Sequence, residues 1–218
     1  MRKKLFIYLG FFVLLLGAFY LLLFWGNDEW RRKLPLLSNV SEFAFTNQNG
    51  DTVTNQTVAG KVHVVEFFFT TCTGICPKMN NNMAKIVDVF KAEENFMILS
   101  FTVDPDKDSV NRMKFYADSL KIDATKWMLL TGTKEKLYEA ARKSYLLDDQ
   151  NNNKEKIEEQ FIHTQLFALV DKSGGVRGIY DGLNKKELSK LDKDIRLLLK
   201  ERYSGPRFVN GIFQNTPM

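Results

Sequence analysis

Residues 61–69, KVHVVEFFF, are after Lys61 apolar on both alternating faces except at His63 and Glu66. Successive side chains of a strand point to opposite sides, so this strand needs a packed layer over each face and belongs in the middle of a sheet. The chain around it supplies those layers. Met79, Met83, Ile86, Val87 and Phe90 recur at helical spacing and predict an amphipathic helix over 77–91. FMILSFTV (96–103) and WMLL (127–130) read as further strands, and 109–120 and 133–145 as further helices. QLFALVD (165–171), the turn KSGG and VRGIY (176–180) form a hairpin, and a last helix begins near Asn184, where Asn-x-x-Glu ending at Glu187 has the pattern of a capping box. Ahead of the central strand, FAF (43–45), NQNG (47–50) and TVT (52–54) predict a small hairpin. Strands alternating with helices define an α/β sandwich, a mixed sheet with helices on both faces.

The chain begins differently. After Met1-Arg2-Lys3-Lys4, Leu5 to Trp25 run without a charge, and as a helix this segment is about 31 Å long, the thickness of a bilayer's hydrocarbon core. It is too long for the apolar region of a cleaved signal peptide and ends in FWGNDEW rather than at a small-residue site. Residues 1–26 are therefore expected to be a retained membrane anchor, 27–39 a polar linker, 40–203 one soluble domain and 204–218 a C-terminal tail. The polar stretch 148–160 reads as an exposed loop. Basic residues flank the apolar run on both sides, Arg2, Lys3 and Lys4 against Arg31, Arg32 and Lys33, so charge counting does not orient it. The formal charge of +5 is spread through alternating runs such as KKELSKLDKD, which leaves no nucleic-acid footprint.

Both cysteines of the chain lie in TTCTGICPKM (70–79), at the point where the central strand ends and a helix begins. This is the carboxyl edge of the sheet, where reactive groups and ligands concentrate. Pro77 suits the first helical position, which makes Cys76 the expected N-cap and turns free N–H groups toward the thiols. A helix N-terminus favours the thiolate, the form that attacks disulfides and binds metals. Two thiols at this spacing can close a disulfide, share a soft metal ion such as Cu(I) or Cu(II), or stay buried and inert. A metal site needs a third donor. His163 precedes an apolar strand and follows a polar loop, whereas His63 lies within the central strand as a packed or solvent-facing residue. Met79 and Met83 share their helical face with Ile86, Val87 and Phe90, the pattern of core residues rather than thioether ligands.

FFFTTCTGICPKM, then ILSFTVDPDKDSV, then FIHTQLFALVDKSGGVRGIYDG resemble, in order and approximate spacing, the signatures of the Sco/SenC family, over about residues 40–200. The resemblance implies a thioredoxin-like fold preceded by one N-terminal transmembrane helix. It implies one copper ion, Cu(I) or Cu(II), per domain, bound by Cys72, Cys76 and His163. The copper is delivered to, or used to prepare, the dinuclear copper site of cytochrome c oxidase, whose copper-bearing subunit is the expected partner, beside other copper chaperones or thiol reductants. It further implies a bacterial inner-membrane protein with its domain on the periplasmic side. Asp104 corresponds to a family aspartate expected to serve partner docking or thiol transfer, unless it only caps a turn. Thr73 and Gly74 stand where many members carry Pro-Asp, a departure that bears on copper affinity and not on the identity of the ligands. Glu66 lies six residues before Cys72, where thioredoxins hold a buried carboxylate that accepts a proton during thiol exchange. The alternative function is thus a thiol-disulfide oxidoreductase that uses Cys72 and Cys76, with Glu66 as proton acceptor and no need of His163.

Overall fold

The computed structural model describes residues 2–24, 33–149, 156–157, 160–162, 164–203, 205 and 206. The chain divides into two units, Met1–Leu34 and Pro35–Met218. The first unit contains helix α1 (Arg2–Phe24), whose described side chains from Phe6 to Leu22 are all exposed. Counted over the described residues, no helix is long and apolar enough to cross a membrane.

Among the described residues of the second unit, eight strands form one sheet in the order β1-β8-β7-β4-β5-β6-β2-β3. The strands are β1 (Ser38–Asn39), β2 (Ala44–Asn47), β3 (Thr52–Thr54), β4 (Val62–Phe68), β5 (Phe96–Thr102), β6 (Trp127–Thr131), β7 (Leu166–Val170) and β8 (Gly175–Asp181). The helices are α2 (Asn55–Val58), α3 (Cys76–Phe90), α4 (Val110–Ser119), α5 (Lys134–Glu139) and α6 (Lys185–Lys200). β4 is central, as its two-sided apolar pattern requires. It runs parallel to β5, with Phe68 opposite Thr102, and antiparallel to β7, with Val65 opposite Ala168. Three connections therefore meet at one edge of the sheet: the chain leaving β4, the chain leaving β5 and the chain entering β7.

The two faces of β4 pack against different layers. Val65 and Phe67 belong to a cluster with Leu99, Phe101, Leu137, Tyr138, Ala141 and Tyr145, so α5 covers this side. Phe101 is its hub, with ring centroids 5.2 Å from Phe45, 5.3 Å from Phe67 and 5.3 Å from Tyr145. On the other face Phe68 stacks on Tyr116 of α4, and Phe90 of α3 meets Phe96 of β5. Met79 and Met83 are buried on α3, as core residues are.

Three local features depart from the sequence expectations. Ser38 and Asn39, expected as linker, pair with Val176 and Gly175 and complete the sheet edge. The helix expected over 133–145 is α-helical only to Glu139. It then widens into a π-helical turn (Ala140–Ser144) closed by the Tyr145 N–H on the Ala140 carbonyl. The third is the start of α3. Cys76 is its first residue rather than its cap, because Ile75 has already turned helical and its carbonyl accepts from the Lys78 and Met79 N–H groups, both at 3.0 Å. Pro77 moves to the second helical position, where its missing N–H again costs no hydrogen bond. Asn184 does cap α6, accepting from the Lys186 N–H at 2.9 Å.

Candidate metal centre

Cys72 and Cys76 are both free thiols, the first partly exposed and the second buried. They are hydrogen-bonded to each other, and the bond divides their roles. Burial acts to raise Cys72, but the Cys76 thiol and the N–H groups of Cys76, Gly74 and Ile75 converge on its sulfur and hold it below the ordinary thiol range. The turn into α3 thus makes a nest for one thiolate. Burial, followed by the bond to Cys72, pushes Cys76 the other way, up to about 12. The partly exposed thiol is therefore the readier of the two to ionise, and the buried one holds its proton more tightly. Thr73 and Gly74 are exposed, and Gly74 has open space around it.

Glu66 lies wholly buried on β4, on the face covered by α3 and α4. Its Oε1 accepts from Ser100 Oγ at 2.6 Å, and that hydroxyl accepts from Trp127 Nε1 at 2.8 Å, while Oε2 has no partner. Burial raises the carboxyl to about 7, against the lowering effect of Ser100, and its charge reaches Cys76. His63 on the same strand is buried too, with Nδ1 3.3 Å from the Lys61 carbonyl. Desolvation lowers it to about 4, so it is a neutral core histidine.

Asp104 follows β5 at the same sheet edge. Its N–H is bonded to Thr102 Oγ1 at 3.0 Å, its carbonyl accepts from Lys107 and Asp108 N–H, and its carboxylate pairs with Lys107 Nζ at 3.0 Å. That is the bonding of a turn residue. His163 lies outside the described residues. Among the described residues no group of three or more His, Cys, Asp or Glu side chains could hold a metal ion.

Sequence reasoning missed two supporting groups. Asp108, with no exposed surface, accepts from Thr70 N at 3.1 Å, Thr70 Oγ1 at 2.5 Å and Thr102 Oγ1 at 2.6 Å. Arg112 Nε donates to Thr70 Oγ1 at 2.6 Å and stands 3.8 Å from the carboxylate. A buried anion thereby pins the residue two positions before Cys72 to the end of β5. In VDPDKDSV this aspartate reads as one polar turn residue among several, and only the placement of Thr70 over it reveals its depth. The other is Tyr116, which accepts from Asn80 Nδ2 at 2.7 Å. Its hydroxyl is raised to about 12 by burial and then by the charge of Cys76.

A mixed sheet whose central strand runs into a helix through a close thiol pair defines a thioredoxin-like dithiol protein. The SCO1/SenC family profile matches residues 34–199, and the chain belongs to this family. The SCO1 protein homolog of Bacillus subtilis strain 168 is 32% identical over 166 residues, which cover 75% of this chain and 84% of that one. The structure of BsSco, described as a member of the Sco family of cytochrome c oxidase assembly proteins with a disulfide switch, aligns with a TM-score of 0.66 at 30% identity, covering 78% of this chain and 100% of that one. ScoI of Bradyrhizobium japonicum, solved with copper bound, shares the fold at a TM-score of 0.58 and 22% identity, over 74% of this chain and 99% of that one.

Proposed function

We propose that this protein is a membrane-tethered metallochaperone that binds one copper ion, as Cu(I) or Cu(II), through Cys72, Cys76 and His163. It delivers that copper to, or prepares, the dinuclear copper site of cytochrome c oxidase. The observation that carries this reading is the amide-lined Cys72 sulfur beside the Cys76 thiol at an open sheet edge. Two adjacent soft donors suit copper better than a hard cation. The chain enters β7 at the same edge, and His163, which precedes β7 in the sequence, supplies the third donor in this reading. Family membership and the copper held by ScoI support the same cargo.

The chemistry follows from the two thiols. Cys72 meets the metal already inclined to ionise, whereas Cys76 must release its proton as the sulfur binds, so loading depends on pH. Exposure of Cys72 leaves one face from which an acceptor's ligands can displace the protein's own. In this reading the uncharged N-terminal run, Leu5 to Trp25, anchors the chain in the bacterial inner membrane with the domain on the periplasmic side, which raises its local concentration at an integral-membrane acceptor. Retention of the full chain in membranes after an alkaline carbonate wash checks the anchor, and release into the wash would remove it.

Anaerobic Cu(I) titration of the reduced domain tests the copper reading. One equivalent is expected, with weaker binding in His163→Ala. Unchanged affinity in that variant removes the ligand set. A specific feature favours a second reading, thiol-disulfide exchange with the oxidase subunit or another extracytoplasmic partner. In this reading Cys72 is the attacking thiol and Cys76 the buried resolving thiol, and the unpartnered Oε2 of buried Glu66 is free to take a proton. Glu66 then receives the Cys76 proton, and Asp104 serves docking or thiol transfer. Absence of copper binding together with reduction of a partner disulfide would select this reading.

A further inference from the structure

The residues just before His163 in the sequence, Gln160 and Ile162, have a mounting of their own. Tyr138 on α5 is buried, with Lys134 Nζ and the Arg142 guanidinium each 5.4 Å from its ring centroid. Its hydroxyl lies 3.1 Å from the Val103 carbonyl and 3.0 Å from the Gln160 carbonyl, and receives the Ile162 N–H at 3.4 Å. A phenol has one proton and can accept as well as donate, so this oxygen joins three main-chain groups from two separate segments. Ile162 is itself buried in the core cluster beside Tyr138. Val103 is bonded through its N–H to the Phe68 carbonyl at 2.9 Å, at the end of the strand that leads to the cysteines. A continuous path runs from β4 through Val103 and Tyr138 to the residue before His163.

The other side of position 163 is fixed independently. Leu166 N–H donates to Thr164 Oγ1 at 3.2 Å, Gly182 N–H to the Gln165 carbonyl at 2.8 Å, and Gln165 Nε2 to Asp181 Oδ2 at 2.8 Å. Gly182 must be glycine for this approach, because a Cβ there would lie 2.5 Å from Phe167 Cζ and 2.9 Å from the Gln165 carbonyl oxygen. The segment after His163 is thus held by the β8 turn and the segment before it by Tyr138.

We propose that Tyr138 is a positioning residue: by holding Gln160 and Ile162 it sets the approach of His163 to the metal and so strengthens binding. The inference rests on the copper reading above, with His163 as a ligand. Outer partners that orient metal ligands commonly matter by about 10- to 100-fold in affinity. Tyr138→Phe is the natural probe, since it keeps the ring and its two cations and removes only the hydroxyl.

The experiment is a double-mutant cycle in Cu(I) affinity, measured by competition with a chromogenic chelator for wild type, Tyr138→Phe, His163→Ala and the double variant. Tyr138→Phe is expected to weaken binding about 10- to 100-fold in the wild-type background and less than about twofold in the His163→Ala background. The midpoint potential of the Cys72/Cys76 pair should not move. An equal loss in both backgrounds, or no loss with His163 present, overturns the inference while leaving His163 a ligand. If His163→Ala alone binds as wild type does, the copper reading fails and this one falls with it. Amide exchange in the wild-type domain gives a check that does not require the variant to fold. The Ile162 N–H should be protected without metal, and exchange at the unprotected rate in the metal-free protein would overturn the proposal.

Discussion

Asp108→Ala is expected to destabilise the reduced domain by about 3–5 kcal/mol, the range for breaking a buried charged network by removing one partner. The substitution leaves three donors without their acceptor: the buried Thr102 hydroxyl and the part-buried Thr70 N–H and hydroxyl. An unmade buried hydrogen bond costs more than a made one contributes, which is why the loss is large for a single carboxylate. Arg112 would also lose its partner, but its side chain is about half exposed and water compensates it. Urea unfolding of the two proteins measures the difference. A loss under about 1 kcal/mol would mean that Thr70 finds other partners and that Asp108 is not what fixes the root of the cysteine loop.

The second large effect depends on pH. Glu66 titrates near 4.5 when unfolded and at about 7 when folded, chiefly through burial. Below pH 4.5 both states hold the proton. As pH rises toward 7 the unfolded chain releases it first, so the unfolded state binds fewer protons and stability falls with rising pH. The shift corresponds to a cost of about 3 kcal/mol, complete above pH 7. Glu66→Gln removes the ionising group while its amide oxygen can still accept from Ser100. Relative to wild type, the variant should gain about 3 kcal/mol between pH 4 and pH 8. His63 titrates in both proteins and cancels from the comparison. Urea melts of the metal-free reduced domain at the two pH values give this gain. An identical difference at both would show that Glu66 ionises as it would in water.

The layered sheet, its central strand and the strand-to-helix placement of the cysteines were legible because each is written as a periodicity: two-sided apolar in KVHVVEFFF and 3.6-residue in 77–91. What periodicity does not carry was missed. Ser38 and Asn39 pair with residues of β8 far along the chain, and two polar residues have no strand signal of their own. The π-helical turn keeps helical side-chain spacing closely enough that AARKS reads as ordinary helix. Ile75 turns helical one residue early, so the cap rule built on Pro77 was off by one position.

The candidate site was legible in its proposed donors and not in its supports. Two cysteines in one decapeptide and a histidine ahead of a strand identify themselves by type. Asp108 and Tyr138 do not, because an aspartate after a strand and a tyrosine on a helix's apolar face have bland local meanings. Their roles come from long-range contacts, Asp108 with Thr70 across 38 positions and Tyr138 with Gln160 across 22.

X-ray absorption at the copper edge of the anaerobically Cu(I)-loaded wild-type domain tests the central claim most directly, because it counts ligands by element. Two sulfur scatterers and one imidazole nitrogen per copper are expected, with the nitrogen lost in His163→Ala. A shell with fewer than two sulfurs, or one with two sulfurs and an imidazole that persists in His163→Ala, would contradict the assignment of Cys72, Cys76 and His163 as the copper site.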